Sequence, residues 1–294
     1  MELDVALAKP ASPLHSMVEG YRGSRLSGLT PGSHLGLPSP WLTMIVSFGT
    51  PTDVSQMPNR SRSPRSFGGF VSGLQDCSAV VSFGSEIACV STKIHPLHAR
   101  TFLGCPASAI TNEVVDTGDL SGSSGAQLSE QMNGVDDWSC RFAVLDHMLI
   151  GSVADAALPP RLEVAWAWHH LAKTRGAVSV AHMASEVGWS RRHFTSQFTK
   201  EFGLTPRTAK RLFRFDALVR LLGRRPDISL AQAASLCGYV DQAHMTTDFA
   251  SFTNTTPGAW LATEFPKSQD SSTRTDEDGF EPSGRLAVSR TENV

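Results

Sequence analysis

One local pattern occurs twice in this sequence. In each copy, small residues lead to a glycine and an aromatic residue, and a segment with apolar residues four apart follows. The glycines, Gly188 and Gly238, are 50 positions apart, and the prolines that close the copies, Pro206 and Pro257, are 51 apart. Glycine readily adopts the left-handed backbone that separates two crossing helices. The pattern therefore predicts two helix-turn-helix units.

The second helix of each unit should have one buried and one exposed face. In the first unit Phe194, Phe198 and Phe202 form one apolar stripe. Ser190 can cap that helix. The outer face carries donors and positive charge, from Arg192, His193, Ser196, Thr199 and Lys200. In the second unit the predicted interior is Met245, Phe249 and Phe252, and the predicted exterior includes Gln242, His244, Thr247 and Asp248.

A long helix is predicted between the two units. Thr205 suits its N-cap, Pro206 its first position, and Gly223 its end. The apolar stripe comprises Leu212, Phe215, Val219 and Leu222. The remaining surface is basic, with Arg207, Lys210, Arg211, Arg214, Arg220 and Arg224. We expect a stiff spacer with a positive flank.

Residues 160–262 resemble the DNA-binding domain of the AraC/XylS family of bacterial transcription regulators, through both units and the connecting helix. The runs 104–116 and 141–146 resemble the N-terminal region of a subgroup of that family. The resemblance implies a sequence-specific DNA-binding regulator that contacts RNA polymerase. It also implies that the two recognition helices enter successive major grooves, about 34 Å apart.

The resemblance also implies roles for individual residues. Side chains expected to read base edges are Arg192, Thr195, Ser196, Gln242, His244, Thr246 and Thr247. Those expected to contact phosphate are Arg191, Lys200, Arg207, Lys210 and Arg211. The second unit has Val240 where the family commonly has Ser, so we expect Asp241 to cap its helix. No Lys or Arg occurs from Asp241 to Thr255, which predicts weaker phosphate contact by this unit.

The net charge of the chain, −2, hides two oppositely charged parts. Residues 160–264 hold 13 Lys and Arg against 8 Asp and Glu, a net of +5, and the rest of the chain has a net of −7. A local positive field is what phosphate contact requires, although a solvated basic face would give the same count. The repeat favours the DNA-binding interpretation.

The expected fold class is α+β with two domains. A β-rich domain is predicted over 12–150, with strands at 41–48, 79–83 and 87–90 and helices from 126 onward and over 141–150. The resemblance implies a cupin-like barrel there, where a small-molecule effector binds or two subunits meet. A connector at 151–160, a double helix-turn-helix domain at 161–264, in which Trp166 and Trp168 pack, and a disordered tail at 265–294 complete the prediction.

Other classes of protein and site are disfavoured. The five cysteines include no CxxC pair, and His95 and His98 have no further ligand at a suggestive spacing, so we expect no metal, disulfide or cofactor. No apolar run reaches 18 residues and the N-terminus is acidic, so we expect a cytoplasmic protein with neither a membrane span nor a signal peptide. The motifs of hydrolases and nucleotide-binding enzymes are missing, and Cys105 lacks the Pro-Cys-His-Arg context of a repair methyl acceptor. The remaining alternative is a degenerate regulator that binds proteins and not DNA.

Overall fold

The computed structural model describes residues 2–121, 125–153 and 159–264. We call the first two ranges the β-rich region and the third the helical region. Ten strands are found in the β-rich region: β1 (Glu2–Ala8), β2 (Val18–Ser27), β3 (Gly32–Gly36), β4 (Leu42–Ser47), β5 (Thr52–Gln56), β6 (Arg65–Phe67), β7 (Gly69–Ser72), β8 (Ala79–Phe83), β9 (Glu86–Ile94) and β10 (Val114–Asp116).

The strands form two antiparallel sheets. One has six strands in the order β1-β2-β9-β4-β7-β10, and the other has four in the order β3-β8-β5-β6. Apolar side chains of both sheets form one cluster between them, with Val54, Phe67 and Ala79 from the smaller sheet and Phe70 and Val114 from the larger. The fold class is therefore α+β, as predicted.

Four helices accompany the sheets: α1 (Ala99–Leu103), α2 (Gly118–Ser121), α3 (Gly125–Asn133) and α4 (Trp138–Val153). α4 lies against the outer face of the larger sheet, where Phe142 stacks on Tyr21 with ring centroids 5.8 Å apart. Leu145 and Leu149 are fully or almost fully buried in the same layer. The apolar stripe predicted over 141–150 is therefore core.

The helical region contains seven helices: α5 (Leu162–Thr174), α6 (Val180–Glu186), α7 (Arg191–Phe202), α8 (Pro206–Arg224), α9 (Leu230–Leu236), α10 (Gln242–Thr253) and α11 (Pro257–Glu264). Its core is aromatic. Trp168 packs on Phe202 and Phe213, and Phe215 packs on Phe249 and Phe252. Trp166, half-buried, stacks on His170.

Two predicted boundaries differ from the structure. β1 precedes residue 12, where the β-rich domain was expected to begin, and it pairs with β2 over its whole length. α4 continues to Val153, into the predicted connector 151–160, and Val153 packs partly buried against the core. Residues 154–158 of that connector, and the tail predicted at 265–294, lie outside the described residues. Within the described ranges, no helix has the length and apolar character to cross a membrane.

Candidate nucleic-acid interface

The first helix-turn-helix unit consists of α6, a turn at Gly188 and α7. Gly188 has φ +69°, and the next residue, Trp189, donates its N–H to the carbonyl of Ala184 at 2.9 Å. The Ser190 hydroxyl accepts from the His193 N–H at 3.2 Å and so caps α7. The predicted stripe Phe194, Phe198 and Phe202 has no exposed surface. The fold of this unit is therefore as predicted.

The second unit repeats this geometry with a different cap. Gly238 has φ +72° between α9 and α10. The Asp241 carboxylate accepts from the His244 N–H at 2.7 Å, which confirms the predicted change of capping residue. Met245, Phe249 and Phe252 are buried, as predicted.

α8 joins the two units as one uninterrupted helix. The Thr205 hydroxyl caps it by accepting from the Thr208 N–H at 3.1 Å, and Pro206 takes the first position. The helix has 19 residues and is therefore about 28 Å long. Gly223 lies inside its last turn and does not end it, since the C-cap is Arg225.

A groove of about 590 Å³ lies between the two units and α8. Polar and charged residues from all three parts line it: Arg191 and Thr195 from α7, Arg207, Lys210, Arg211 and Arg214 from α8, and His244 and Asp248 from α10. Partial burial and the neighbouring Arg214 lower the pKa of Lys210. Because these cations repel one another, an anion bound in the groove would stabilise them.

Asp248 does not face outward as predicted. It is buried, and its carboxylate accepts from Nε of Arg211 at 2.5 Å. Arg211 also donates to the Ser251 hydroxyl and lies over the ring of Phe252, 5.0 Å from its centroid. The reason is helical spacing: Asp248 follows the buried Met245 by one turn, so it faces α8. Arg211 thus joins α8 to the second unit, and a phosphate contact by this residue stays a prediction.

Other predicted site residues lie outside the groove. Arg192, Ser196, Gln242 and Thr247 are exposed on the two recognition helices, and Thr246 is half-buried. Lys200 lies at the far end of α7 from Arg191, next to the β-rich region. The structure also exposes a residue without an assigned role, Val240, whose surface is 86 % accessible just before α10.

The β-rich region contacts the C-terminal ends of α7 and α10, the second helices of the two units. The Ser108 hydroxyl donates to the carbonyl of Lys200 at 2.7 Å, and the Thr111 hydroxyl donates to the carbonyl of Phe202 at 2.9 Å. The N–H and the hydroxyl of Ser78 both donate to the carbonyl of Phe252, at 2.7 and 3.0 Å. Carbonyls in the last turn of a helix have no partner within it, so these donors cap α7 and α10 from outside.

An ion pair strengthens the contact with α7. The Arg100 guanidinium donates to both oxygens of Glu201, at 3.2 and 2.9 Å, and the Glu201 side chain is only 10 % exposed. This contact raises the pKa of Arg100. The sequence pattern did not reveal it, because the two residues are 101 positions apart. The one available signal was a carboxylate beside the buried Phe202.

A cavity of about 140 Å³ lies between the two sheets of the β-rich region. Hydroxyl and amide groups line it beside apolar side chains, among them Ser24, Thr43, Ser72, Gln75 and Phe70. Burial lowers the pKa of His34, which also lines the cavity, to about 4. Asp53 and Glu86 are its acidic residues, and none of the described lining residues is Lys or Arg.

The histidines considered as metal ligands belong to a different environment. His95 lies 5.3 Å from His169 and 6.0 Å from His98, measured between ring centroids, and its Nδ1 accepts from the Leu97 N–H. Burial, His169 and His98 lower the pKa of His95 to about 4. Within the described ranges no group of three or more His, Cys, Asp or Glu is arranged to hold a metal. All five cysteines are free thiols.

Comparison with known proteins agrees with this geometry. Residues 183–263 match the family model described as "Helix-turn-helix domain". No curated protein matches the chain in sequence.

Three solved structures are similar to parts or most of the chain. ToxT from Vibrio cholerae O395 is 13% identical over 88% of this chain and 96% of its own, with a TM-score of 0.48. The C-terminal domain of AraT, a response regulator from Geobacillus stearothermophilus, is 17% identical over 35% and 87%, with a TM-score of 0.33. The AraC-like transcriptional activator CuxR is 14% identical over 71% and 84%, with a TM-score of 0.29.

The domain assignment rests on the family match, on the two capped units with their buried stripes, and on the basic groove between them. Residues 183–263 form an AraC-type helix-turn-helix domain, and the chain is a DNA-binding transcription regulator with a β-rich N-terminal part.

Proposed function

We propose that the two helix-turn-helix units divide the work of binding an operator. The first unit and α8 hold the phosphate backbone, and the second unit refines which sequence is held. The groove between the units supports this division, because its cations come from α7 and α8 while α10 contributes His244 and an already paired carboxylate. Each phosphate that is neutralised should steepen the salt dependence of binding by about 0.9 in log–log slope.

The exposed residues of the two recognition helices are the base readers of this proposal. Arg192 can donate two hydrogen bonds to guanine, and Gln242 can pair with adenine in the same way. Thr195, Ser196, His244, Thr246 and Thr247 complete the set. Val240 adds an exposed apolar side chain just before α10, where a thymine methyl group is a suitable contact. Arg191, Lys200, Arg207 and Lys210 are the phosphate contacts, and Arg211 serves mainly to hold α10 against α8.

An operator is needed to test this division, and selection from a random duplex pool by the full chain supplies it. In electrophoretic shifts, Arg192→Ala should then abolish specific binding. Gln242→Ala should instead reduce the difference in affinity between the selected duplex and a scrambled one. Equal losses of affinity by both variants for both duplexes would contradict the proposed difference between the two units. A chain that enriches no sequence would support the alternative, a degenerate module that binds proteins.

We also propose that the cavity between the sheets takes an uncharged small-molecule effector. The lining supplies hydroxyls, an amide and a neutral imidazole beside apolar surface, and the described lining has no cation for an acidic ligand. The β-rich region touches both recognition helices, so a ligand that shifts it can alter DNA binding. As a regulator, the chain would act on RNA polymerase in the cytoplasm, where the bacterial chromosome lies.

A panel of sugars, polyols and uncharged aromatic compounds tests the effector proposal. A ligand should raise the melting temperature of the full chain and change its operator affinity. Val81→Phe, which puts a ring into the cavity, should remove both effects. Val80→Phe is the matched control, because neighbouring residues of a strand face opposite sides and Val80 does not line the cavity. Retention of both effects in Val81→Phe would place the ligand elsewhere.

A further inference from the structure

β1 differs from the other three sheet edges. It is seven residues long, whereas β10, β3 and β6 have three, five and three. Its pairing with β2 is continuous from Glu2 to Ala8, without a bulge. Edge strands are usually protected from other chains by a short length, a bulge, a proline or charged side chains. Glu2–Ala8 is long and has neither a bulge nor a proline, and of its two carboxylates Asp4 is bonded to Trp138. The outer row of N–H and C=O groups of β1 has no partner strand within the described residues.

The two faces of β1 are in different environments. Ala6 and Ala8 pack against the core, and Asp4 accepts from the indole N–H of Trp138 at 3.0 Å. These contacts fix the strand on one face. The opposite face carries Leu3, Val5 and Leu7, which are 60 %, 38 % and 58 % exposed. β1 is therefore held in place on one face, while its outer edge and its apolar face have no partner among the described residues.

The order of these residues is symmetric about Val5. In an antiparallel pair of two β1 strands centred there, Val5 lies opposite Val5, and Leu3 of each copy lies opposite Leu7 of the other. The six side chains then form one apolar ladder, the arrangement that stabilises cross-strand pairs. On the other face Glu2 lies opposite Ala8 and Asp4 opposite Ala6, so no like charges meet.

Pairings of two β1 strands in neighbouring registers would be less stable. Centring the pair on Asp4 sets two carboxylates against each other, and centring it on Ala6 sets Leu3 against Lys9. A shift that exchanged the faces of one copy would set apolar side chains against the packed face. Charge and apolar pattern therefore select one register and one occupant, a second copy of the same strand.

We propose that two copies of this chain form a symmetric dimer through β1, with the six-stranded sheets joined into one twelve-stranded sheet. The dimer carries four helix-turn-helix units, two from each copy. The contact is independent of DNA, so it can be tested separately from the proposed operator binding.

The register is tested by cross-linking the full chain in a Cys140→Ser background, which removes the exposed native thiol. Val5→Cys should form a disulfide-linked dimer under mild oxidation, because the two thiols lie opposite each other. Leu3→Cys is the matched control: its two copies would be four residues, or about 14 Å, apart along the strands and should not link. A mixture of Leu3→Cys and Leu7→Cys chains should link. Equal cross-linking by Leu3→Cys alone and Val5→Cys would overturn the register.

The dimer itself is tested by sedimentation of the full chain over a range of concentrations. Val5→Lys, which sets two ammonium groups together, should raise the dissociation constant about tenfold or more while circular dichroism stays native. The proposal fails if the full chain is monomeric throughout, or if Val5→Lys dimerises as well as the parent. A monomer whose β1 amides are protected from hydrogen exchange would also overturn it, since another segment of the same chain would then cover the edge.

Discussion

At the scale of single residues, local chemistry was predictable and partners distant in the sequence were not. The caps Ser190, Thr205 and Asp241 follow from the residue types that accept from free N–H groups, and all three are confirmed. The burial of Asp248 was not predicted, because it depends on Arg211, 37 positions earlier. An amphipathic pattern indicates which face of a helix is apolar. It does not indicate which charged side chain beside that face becomes buried.

Two half-buried histidines make the stability of the protein sensitive to mild acid. Burial lowers the pKa values of His34 and His95 to about 4, below the value of about 6.5 in an unfolded chain. The unfolded chain therefore binds more protons between these values, and stability that is fully present above pH 6.5 is lost as the pH falls towards 4. Each pKa unit corresponds to about 1.4 kcal/mol, so the two histidines together should cost several kcal/mol of stability over this window.

Urea unfolding at several pH values measures this dependence. The double variant His34→Gln, His95→Asn should flatten it, and the Asn retains an acceptor for the Leu97 N–H. His147→Asn, which replaces an exposed histidine of α4, is the control and should leave the slope unchanged. A slope that stays the same in the double variant would show that other groups carry the acid sensitivity.

At the scale of elements, the two units look alike but are supported differently. Gly203 ends α7 with φ +72°, and Gly238 has the same φ in the turn of the second unit. A methyl group at Gly203 would lie 2.0 Å from the Thr111 hydroxyl, whereas a methyl group at Gly238 would meet nothing within 4 Å. A substitution at Gly238 therefore tests backbone strain alone, and one at Gly203 tests strain together with contact with the β-rich region.

We expect Gly238→Ala to cost about 1–2 kcal/mol, from strain alone. Gly203→Ala should cost more, because the added methyl group forces Thr111 and the segment around it away from α7. The free energy of unfolding of the full chain measures both. Similar costs would mean that the contact at Thr111 yields easily and does not hold α7 in place.

At the scale of the whole molecule, the order of a β-rich part and a double helix-turn-helix part was predictable, since each rests on local periodicity. β1 was not predicted, because a strand whose apolar residues are exposed resembles a polar N-terminal segment. The contacts between the two regions were also beyond sequence analysis. Arg100 and Glu201, or Ser78 and Phe252, lie far apart in the sequence, and no residue pattern indicates that they meet.

The contacts that hold α7 and α10 limit how the spacing between the two half-sites of a promoter can vary. α7 and α10 each pack against α8 and are hydrogen-bonded to the β-rich region, so neither can rotate freely relative to the other. One extra base pair between the two half-sites would turn the second half-site by roughly 35° around the duplex axis. The protein cannot follow that rotation without releasing Ser78 or Thr111, so the duplex would have to twist instead. We therefore expect natural sites to keep a constant helical phase between their halves, even where the bases between them differ.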